Sequence, residues 1–362
     1  MRPRPVLIMA GGTGGHVFPA LALARALRAR SLEVVWLGTR RGLEARIVPA
    51  EQIPIEWLSV GGLRGKGALT LLAAPFRLVL ALAQALRIMW RHRPAAVVGL
   101  GGFVTGPGGL AAWLTRHPLI IHEQNAIAGF TNRVLAHLAR EVLEAFPDSF
   151  GPSARAHTIG NPVREDIVAT SPPAVRFAHR SGAIRILVIG GSQGASRLNA
   201  VVPFALARLP ASIAIEVRHQ AGSRWHEAAQ HNYASAGVRA EVTPFIDDMA
   251  AAYAWADLVI CRSGALTISE LAAAGVGAVL VPFPQAVDDH QSANARYLTS
   301  VGAAVLIPDR ELTAERLAAE LERLCATRAK LLAMAEKARE LARPRATAEL
   351  THACLALAGG AA

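Results

Sequence analysis

The chain has 362 residues, of which 52% are hydrophobic, and this length suggests two domains rather than one. Its net charge of +11 is compatible with a protein that binds nucleic acid. However, only 5% of the residues are aromatic, and the sequence contains no recognisable RNA- or DNA-binding module. The three cysteines lie far apart without paired spacing, which argues against a disulfide framework or a cysteine zinc site. We therefore expect a two-domain protein of a reducing compartment that does not bind nucleic acid.

The first half of the chain alternates strand-like apolar runs with helix-like runs, which is typical of a parallel sheet covered by helices. The expected strands lie near residues 5–10, 33–37, 96–100, 118–122 and 156–159. Residues 1–5 lead directly into the first strand and leave no room for a removable signal peptide, so we expect a cytoplasmic protein.

A strongly apolar segment, residues 69–90, precedes the third expected strand. Arg77 and Arg87 interrupt it, so it lacks the ~20 consecutive apolar residues that a membrane-spanning helix needs. On a helix, one face and its flank would carry Leu72, Phe76, Val79 and Leu82. That face either packs into the domain core or lies on an anionic membrane surface, to which the positive charge of the chain would be attracted.

The second half of the chain repeats the strand and helix alternation. Its expected strands lie near residues 185–190, 213–219, 240–243, 258–261, 278–281 and 304–306. Turn-forming residues near 160–164 and 169–173 mark the boundary, and a helix after Pro344 crosses back onto the first domain. We therefore predict two Rossmann-like, doubly wound parallel-sheet α/β domains that face a central cleft. The predicted domains are residues 1–163 with 343–362, and residues 164–342.

A glycine-rich turn follows three of the expected strands, at residues 11–16, 99–102 and 190–194. Such turns bring backbone N–H groups and a helix N-terminus to the carboxyl edge of a sheet, where they can hold a phosphate group. The dinucleotide fingerprint is incomplete, because Val17 and Val104 replace its third glycine and the third turn lacks the opening G-x-G. The turns therefore favour a phosphorylated ligand and disfavour a nicotinamide enzyme.

Two pairs of neighbouring aspartates, Asp247 with Asp248 and Asp288 with Asp289, resemble possible metal ligands. A magnesium or calcium ion needs several convergent oxygen atoms, which these pairs alone do not provide. We interpret them as loop carboxylates and helix caps, and we expect neither a catalytic metal nor a cofactor.

Six segments, spread over nearly the whole chain, resemble the MurG family of bacterial glycosyltransferases. They are residues 9–19, 101–107, 122–125, 160–164, 190–195 and 261–267. Members of this family transfer N-acetylglucosamine from UDP-N-acetylglucosamine to lipid I at the cytoplasmic face of the membrane. The resemblance implies a fold of glycosyltransferase type B, with the nucleotide in the C-terminal domain and the acceptor and membrane surface in the N-terminal domain.

The resemblance also implies which residues bind the donor. It assigns the diphosphate to Ser192 and the start of a helix near Leu266, the ribose to Glu270, and the uracil to the backbone of Ile246. A helix N-terminus carries about half a positive charge, which can stabilise departing UDP without a metal. Glu270 taken alone, without the motif, would be interpreted as a carboxylate on a helix surface rather than as a ligand contact. The full set implied is Thr13, Gly14, Gly15, Asn125, Arg164, Ser192, Ile246, Ala265, Leu266, Thr267, Ile268, Ser269, Glu270 and Gln291.

For catalysis, His16 is the first candidate for the general base, because a histidine side chain ordinarily titrates near pH ~6.5 and can take a proton from the acceptor hydroxyl. Glu123 either orients or charge-balances this site, or has a buried structural role. Trp113 joins the predicted membrane-docking residues. The expected reaction is an inverting, single-displacement transfer that yields lipid II.

The expected partners are lipid I, an anionic membrane surface and other proteins of cell-wall synthesis, with the chain held peripherally on the cytoplasmic face of the bacterial inner membrane. Two alternatives stay open at this point. One is a UDP-sugar epimerase of the same fold, and the other is a non-catalytic scaffold that binds nucleotide sugars at the membrane.

Overall fold

The computed structural model describes residues 4–61, 74–151, 155–191, 194–284 and 289–359. It divides into two compact units, which we call the first unit (Met1–Val163 with Arg345–Ala362) and the second unit (Arg164–Pro344). Three residues named above, Leu72, Ser192 and Asp288, lie outside the described residues.

Within the described residues, the first unit contains a seven-stranded parallel sheet in the order β3-β2-β1-β4-β5-β6-β7. Its strands are β1 (Val6–Met9), β2 (Val34–Gly38), β3 (Ile55–Trp57), β4 (Ala96–Gly99), β5 (Leu119–Glu123), β6 (Glu141–Glu144) and β7 (His157–Thr158). Its helices are α1 (Gly14–Arg28), α2 (Glu44–Ala50), α3 (Ala74–His92), α4 (Thr105–Leu114), α5 (Phe130–Ala136) and, from the end of the chain, α15 (Ala346–Gly359).

The central strands of this sheet are buried on both faces, which explains why they are continuous apolar runs rather than alternating ones. Every residue of β1 and β4 is buried. Helix α15 packs on α1, and its Leu350 and Cys354 are fully buried in the same core cluster as Val6 and Ile8 of β1. The last helix of the chain therefore completes the core of the first unit.

Two strands of the first unit were not predicted from the sequence. Strand β3 has three residues, all only partly buried, so it lacks a continuous apolar run. Strand β6 begins and ends with the glutamates Glu141 and Glu144. Glu144 is buried and accepts hydrogen bonds from the backbone N–H groups of Asp148 and Ser149 at 3.1 and 3.0 Å, so a satisfied carboxylate stands where a pattern search expects an apolar residue.

In its described part, the second unit contains a six-stranded parallel sheet in the order β10-β9-β8-β11-β12-β13. Its strands are β8 (Ile184–Ile189), β9 (Ile215–Gln220), β10 (Glu241–Thr243), β11 (Leu258–Cys261), β12 (Gly277–Leu280) and β13 (Ala304–Leu306). Its helices are α6 (Glu165–Val168), α7 (Pro173–Ala178), α8 (Ser196–Leu206), α9 (His226–Ser235), α10 (Met249–Trp255), α11 (Ala265–Ala274), α12 (His290–Thr299), α13 (Ala314–Cys325) and α14 (Arg328–Glu340), with a 3₁₀ turn at Asp309–Glu311.

A buried ionic cluster surrounds Asp257, just before β11. Asp257 is fully buried, and its carboxylate accepts hydrogen bonds from the Arg180 guanidinium, from the backbone N–H of Arg185 at 3.0 Å and from Arg328 at 3.4 Å. Arg180 comes from the segment after α7, Arg185 belongs to β8 and Arg328 begins α14. One carboxylate therefore joins three parts of the second unit.

Helix α3 presents two different faces. Ala81, Ala85 and Met89 are buried in the core of the first unit, whereas Phe76 and Val79 are 81% and 68% exposed. The face predicted to include Phe76 and Val79 is thus not the core face. Leu82 differs from that prediction, because it is partly buried and packs against the core cluster.

No helix of the described chain is both long enough and apolar enough to span a membrane.

Both sheets are doubly wound. From the central pair, β1 with β4 or β8 with β11, the strands follow in chain order towards each edge of the sheet. The predicted fold class, two Rossmann-like parallel-sheet α/β domains, is confirmed.

Candidate functional site

The first unit has its topological switch point between β1 and β4, which lie side by side while their following helices diverge. The glycine turns after these strands touch. A Cβ atom on Gly102, whose φ is +87°, would lie 2.4 Å from the carbonyl oxygen of Gly11. Any side chain at Gly102 would therefore push the two turns apart, so glycine is required there for the packing of the turns.

His16 lies in the first turn of α1 and is half-buried. Its ring rests against the second glycine turn, where a Cβ atom on Gly101 would lie only 2.6 Å from His16 Nδ1. His16 Nδ1 also lies 2.8 Å from Oε1 of Gln124. Thr13, Gly14 and Gly15, which the resemblance assigned to ligand binding, form the N-cap and the first helical positions beside it.

The hydrogen bonds described for Glu123 are with residues of its own loop and not with His16. Its carboxylate accepts from the backbone N–H and Nδ2 of Asn125 at 2.9 and 3.1 Å, from the backbone N–H of Gly129 at 3.1 Å, and from Asn132 Nδ2 at 2.8 Å. These bonds organise the loop from β5 to α5. The polar side chain that contacts His16 is that of Gln124. The bonds of Glu123 fit the buried structural role that the sequence left open, and its role beside the general base stays a prediction.

Glu44 was missed by the sequence analysis, yet it lies directly behind the first glycine turn. It is fully buried and accepts hydrogen bonds from the backbone N–H of Gly12 at 2.9 Å and from the N–H and hydroxyl of Thr39 at 2.9 and 2.8 Å. The N–H of Gly12 is thus used inside the protein. Glu44 lies six residues after the end of β2, beyond any of the glycine turns that the sequence singled out.

The second unit has its switch point between β8 and β11. The third glycine turn follows β8, and Gly191 and Gly194 in it have φ values of +81° and +74°. A Cβ atom on Gly194 would lie 2.3 Å from the carbonyl oxygen of Ala221. This turn therefore needs glycine both for its backbone conformation and for its packing against the end of β9.

Gln220, at the end of β9, holds the third glycine turn and was not predicted. Its Oε1 accepts from the N–H of Gly191 at 3.1 Å, and its Nε2 donates to the carbonyl oxygens of Gly191 at 2.9 Å and Pro244 at 3.3 Å. Pro244 begins the loop that contains Ile246, which is half-buried. One buried amide thus joins the predicted diphosphate turn to the predicted uracil loop.

Helix α11 begins at the same sheet edge, directly after β11. Its N-cap is Gly264, which has no side chain to occupy the first N–H groups of the helix. Ala265, Leu266 and Thr267 form the first turn and can present N–H groups to an anion. The geometry thus provides a positively polarised helix end beside the third glycine turn.

Two residues predicted to bind the donor, Ile268 and Ser269, use their groups inside α11. The side chain of Ile268 is fully buried and its N–H donates to the carbonyl oxygen of Gly264 at 3.0 Å. The Ser269 hydroxyl donates to the carbonyl oxygen of Ala265 at 3.1 Å. Ligand binding by these two residues stays a prediction.

Glu270 lies in the second turn of α11 and is only 9% exposed. The hydroxyl of Tyr253 donates to its Oε2 at 3.0 Å, and Arg164 Nη2 lies 3.9 Å from its Oε1. Burial raises the pKa of Glu270 to about 7, although the charge of Arg164 and the hydrogen bond from Tyr253 oppose that shift. A buried carboxylate with a pKa this high is typical of functional sites.

Of the remaining predicted residues, Asn125 lies in the first unit and Gln291 at the start of α12 in the second. Gln291 Oε1 accepts from the N–H of Phe283 at 2.9 Å, so the donor side of its amide is the one that a sugar would use.

Asp248 caps α10 by accepting from the N–H of Ala251, and Asp289 accepts from the hydroxyl of Ser292. The described residues contain no group of three or more histidine, cysteine or acidic side chains that could hold a metal ion.

Comparison with known proteins places this geometry in a family. Residues 6–144 match the glycosyltransferase family 28 N-terminal domain, and residues 185–350 match the family 28 C-terminal domain. A protein of Nitrosococcus oceani named UDP-N-acetylglucosamine--N-acetylmuramyl-(pentapeptide) pyrophosphoryl-undecaprenol N-acetylglucosamine transferase is 59% identical over 355 residues, covering 98% of this chain and 99% of that protein. The protein of the same name from Marinobacter nauticus is 56% identical over 357 residues, covering 99% and 98%.

Among solved structures, the crystal structure of MurG from Acinetobacter baumannii superposes with a TM-score of 0.85 at 43% identity, covering 98% of this chain and 100% of that one. The family resemblance inferred from the sequence motifs is confirmed. The chain belongs to the MurG family within glycosyltransferase family 28 and is a glycosyltransferase.

Proposed function

We propose that this protein transfers N-acetylglucosamine from UDP-N-acetylglucosamine to the 4-hydroxyl of the N-acetylmuramoyl unit of lipid I, giving lipid II and UDP. The observation that carries this proposal is the combination, at one sheet edge of the second unit, of a helix start with glycine as its N-cap and the buried Glu270. The names of the full-length relatives supply the substrates.

The second unit is the proposed donor domain. The diphosphate would accept hydrogen bonds from N–H groups at the start of α11, whose partial positive charge also stabilises UDP as it leaves. The ribose hydroxyls would donate to Glu270, and Ile246 would contact the uracil through its backbone. Ser192, outside the described residues, keeps its proposed contact with the diphosphate, and Gln291 and Asn125 keep theirs with the sugar.

The first unit, with the helix at the end of the chain, is the proposed acceptor domain. His16 would take the proton from the acceptor hydroxyl as that oxygen attacks the anomeric carbon from the face opposite UDP. The single displacement inverts the anomeric configuration and gives a β-linked disaccharide. It needs no covalent intermediate with the enzyme.

Exposed apolar side chains on neighbouring helices of the first unit support a membrane-docking surface. Phe76 and Val79 lie on α3, Trp113 and Leu114 on α4, which packs against α3, and each is about half exposed or more. Scattered exposed hydrophobic residues are common, but a group on adjacent helices is typical of an interaction surface. We propose that this surface holds the protein peripherally on an anionic membrane, where the lipid I tail resides.

The direct test of the function is to incubate the purified protein with UDP-N-acetylglucosamine and a lipid I analogue. We expect one equivalent of UDP for each equivalent of β-linked disaccharide product. Formation of a 2-epimer of the donor without acceptor would instead support the epimerase alternative. Tight UDP binding without turnover would support the scaffold alternative, and either result would overturn the proposal.

Replacing Glu270 with alanine should weaken the binding of UDP-N-acetylglucosamine and of UDP alike by about 1.5–3 kcal/mol, the usual range for hydrogen bonds to a charged group. Because this interaction exists before the reaction begins, KM for the donor should rise more than kcat falls. Steady-state kinetics and UDP titration measure both effects. An unchanged donor KM would refute the assignment of Glu270 to the ribose.

The affinity for UDP-N-acetylglucosamine should fall as the pH is lowered through the pKa of Glu270, which is about 7. A protonated carboxyl group is a poorer acceptor for ribose hydroxyls, so binding favours the ionised form and weakens below that pKa by up to about tenfold per pH unit. Calorimetric titration between pH 6 and pH 8 measures the effect, since the diphosphate of this donor does not titrate there. Glu270→Gln should bind with a flat profile, and a wild-type profile that is equally flat would contradict the prediction.

Replacing Phe76 and Val79 together with serine should reduce binding to anionic vesicles at least about tenfold, since full burial of such side chains contributes about 1.5–3 kcal/mol each. Activity on long-chain lipid I should fall with it, while activity on a short-chain soluble acceptor should not change. The matched control is Val175→Ser with Val301→Ser, which removes two exposed apolar side chains of the second unit. Vesicle binding equal to the parent would place the docking surface elsewhere.

A further inference from the structure

A chain of hydrogen bonds runs from His16 into the interior of the first unit. His16 Nδ1 is 2.8 Å from Gln124 Oε1, Gln124 Nε2 is 3.0 Å from His122 Nδ1, and His122 Nε2 is 2.9 Å from the carbonyl oxygen of Gly160. Gln124 is 1% exposed and His122 is fully buried. Because the chain ends on a backbone carbonyl, chemistry fixes the position of each proton along it.

The proton positions follow first from the buried end. A carbonyl oxygen can only accept, so His122 Nε2 must carry the proton that it donates to Gly160. Burial lowers the pKa of His122, although the Gly160 hydrogen bond and the charge of Glu123 oppose that shift. The ring is therefore neutral near pH 7, and its Nδ1 keeps the lone pair that accepts from the Gln124 amide nitrogen.

A second contact fixes the Gln124 amide independently of any histidine tautomer. Gln124 Nε2 also lies 3.0 Å from the backbone carbonyl oxygen of His122, which can only accept a hydrogen bond. The amide nitrogen must therefore face His122, and the amide oxygen must face His16. Since that oxygen can only accept, His16 Nδ1 must be the protonated nitrogen of its ring.

We propose that Gln124, itself oriented by His122, is a positioning residue that holds His16 in the tautomer protonated at Nδ1. In that tautomer Nε2 keeps its lone pair and can take a proton, whereas the tautomer that histidine prefers in water carries the proton on Nε2. The Nδ1 proton donates to Gln124 before and after Nε2 is protonated, so no group has to rearrange during proton transfer. The catalytic part of this inference rests on the proposed function.

The tautomer can be measured without substrate by ¹⁵N NMR of protein labelled at histidine, because protonated and unprotonated ring nitrogens have different chemical shifts. His16→Gln identifies the His16 signals by their loss. We expect a protonated Nδ1 and an unprotonated Nε2 at pH values where the ring is neutral. A wild-type ring that is mainly protonated at Nε2 would overturn the proposal.

Two substitutions of Gln124 test the link to activity. Gln124→Leu removes the acceptor at similar size, so kcat should fall about 10–100-fold, the usual cost of losing an orienting partner, with donor KM within about twofold of wild type. Its His16 signals should show protonation at Nε2. Gln124→Glu keeps an oxygen facing His16 in either protonation state of its carboxyl group, so the Nδ1 tautomer should persist and kcat should exceed that of the leucine variant.

A merely structural role for Gln124 predicts a different pattern. Both variants would then lose activity equally without any change of tautomer, and that result would overturn the proposal, as would wild-type kcat in the leucine variant. If Gln124→Leu does not fold, the wild-type and Gln124→Glu spectra still decide the tautomer. Failure of wild-type protein to convert lipid I would instead refute the proposed function, since the NMR measurement does not depend on turnover.

Discussion

Replacing His16 with alanine should lower kcat about 10²–10⁴-fold, the range expected when a positioned general base is lost. The reason is local, because His16 is the imidazole that Gln124 and the second glycine turn hold at the start of α1. Donor binding should change little, since the proposed contacts with the nucleotide belong to the second unit. Steady-state kinetics with a soluble lipid I analogue, together with UDP titration, measure both quantities.

A matched control for this variant is His92→Ala, which removes a histidine of the same unit that pairs with Glu56 at 2.7 Å. It should keep wild-type kcat. If a folded His16 variant keeps kcat within about threefold of wild type, His16 is not the base and Glu123 has to be tested next.

Replacing Asp257 with alanine should destabilise the second unit by about 3–5 kcal/mol, the usual cost of removing one partner from a buried ion pair. The loss leaves the Arg180 guanidinium, whose side chain is only 8% exposed, without its carboxylate. It also removes the acceptor of the Arg185 N–H and one partner of Arg328. Hydrogen exchange, followed separately in β8 and β11 and in the strands of the first unit, measures where the protection is lost.

The matched control is Glu216→Ala, which removes the partner of an exposed pair with Arg185 at 3.6 Å. An exposed ion pair contributes about 0–1 kcal/mol, so this variant should exchange almost like wild type. Equal protection of β8 in the Asp257 and Glu216 variants would contradict the prediction.

The sequence was sufficient for the fold class because buried parallel strands are apolar throughout and glycine turns follow them. It failed at β3 and β6 for physical reasons. A three-residue strand at the sheet edge needs little apolar surface, and a buried glutamate such as Glu144 is stable when backbone N–H groups satisfy it. Patterns of hydropathy contain no information on those hydrogen bonds.

The candidate site shows the same limit. His16 and Glu270 were predicted from motifs. Gln124, which contacts His16, and Gln220 and Glu44, which bind the third and first glycine turns, were not. Each of these three acts through contacts with residues distant in the sequence, and amides in particular give no charge or periodicity signal. The sequence left the role of Glu123 open, and it did not indicate that the side chain in contact with His16 is a neutral amide, that of Gln124.

The first unit is discontinuous in the chain, because α15 supplies Leu350 and Cys354 to the core around β1. Synthesis proceeds from the N-terminus, so α15 is made last. Until α15 has left the ribosome, the core around β1 lacks the side chains that this helix contributes, and the first unit cannot complete its fold. The second unit is continuous and can complete its fold earlier. The first unit is therefore begun first but completed last, and a chain that ended between Pro344 and the start of α15 would carry a complete second unit attached to an incomplete first one.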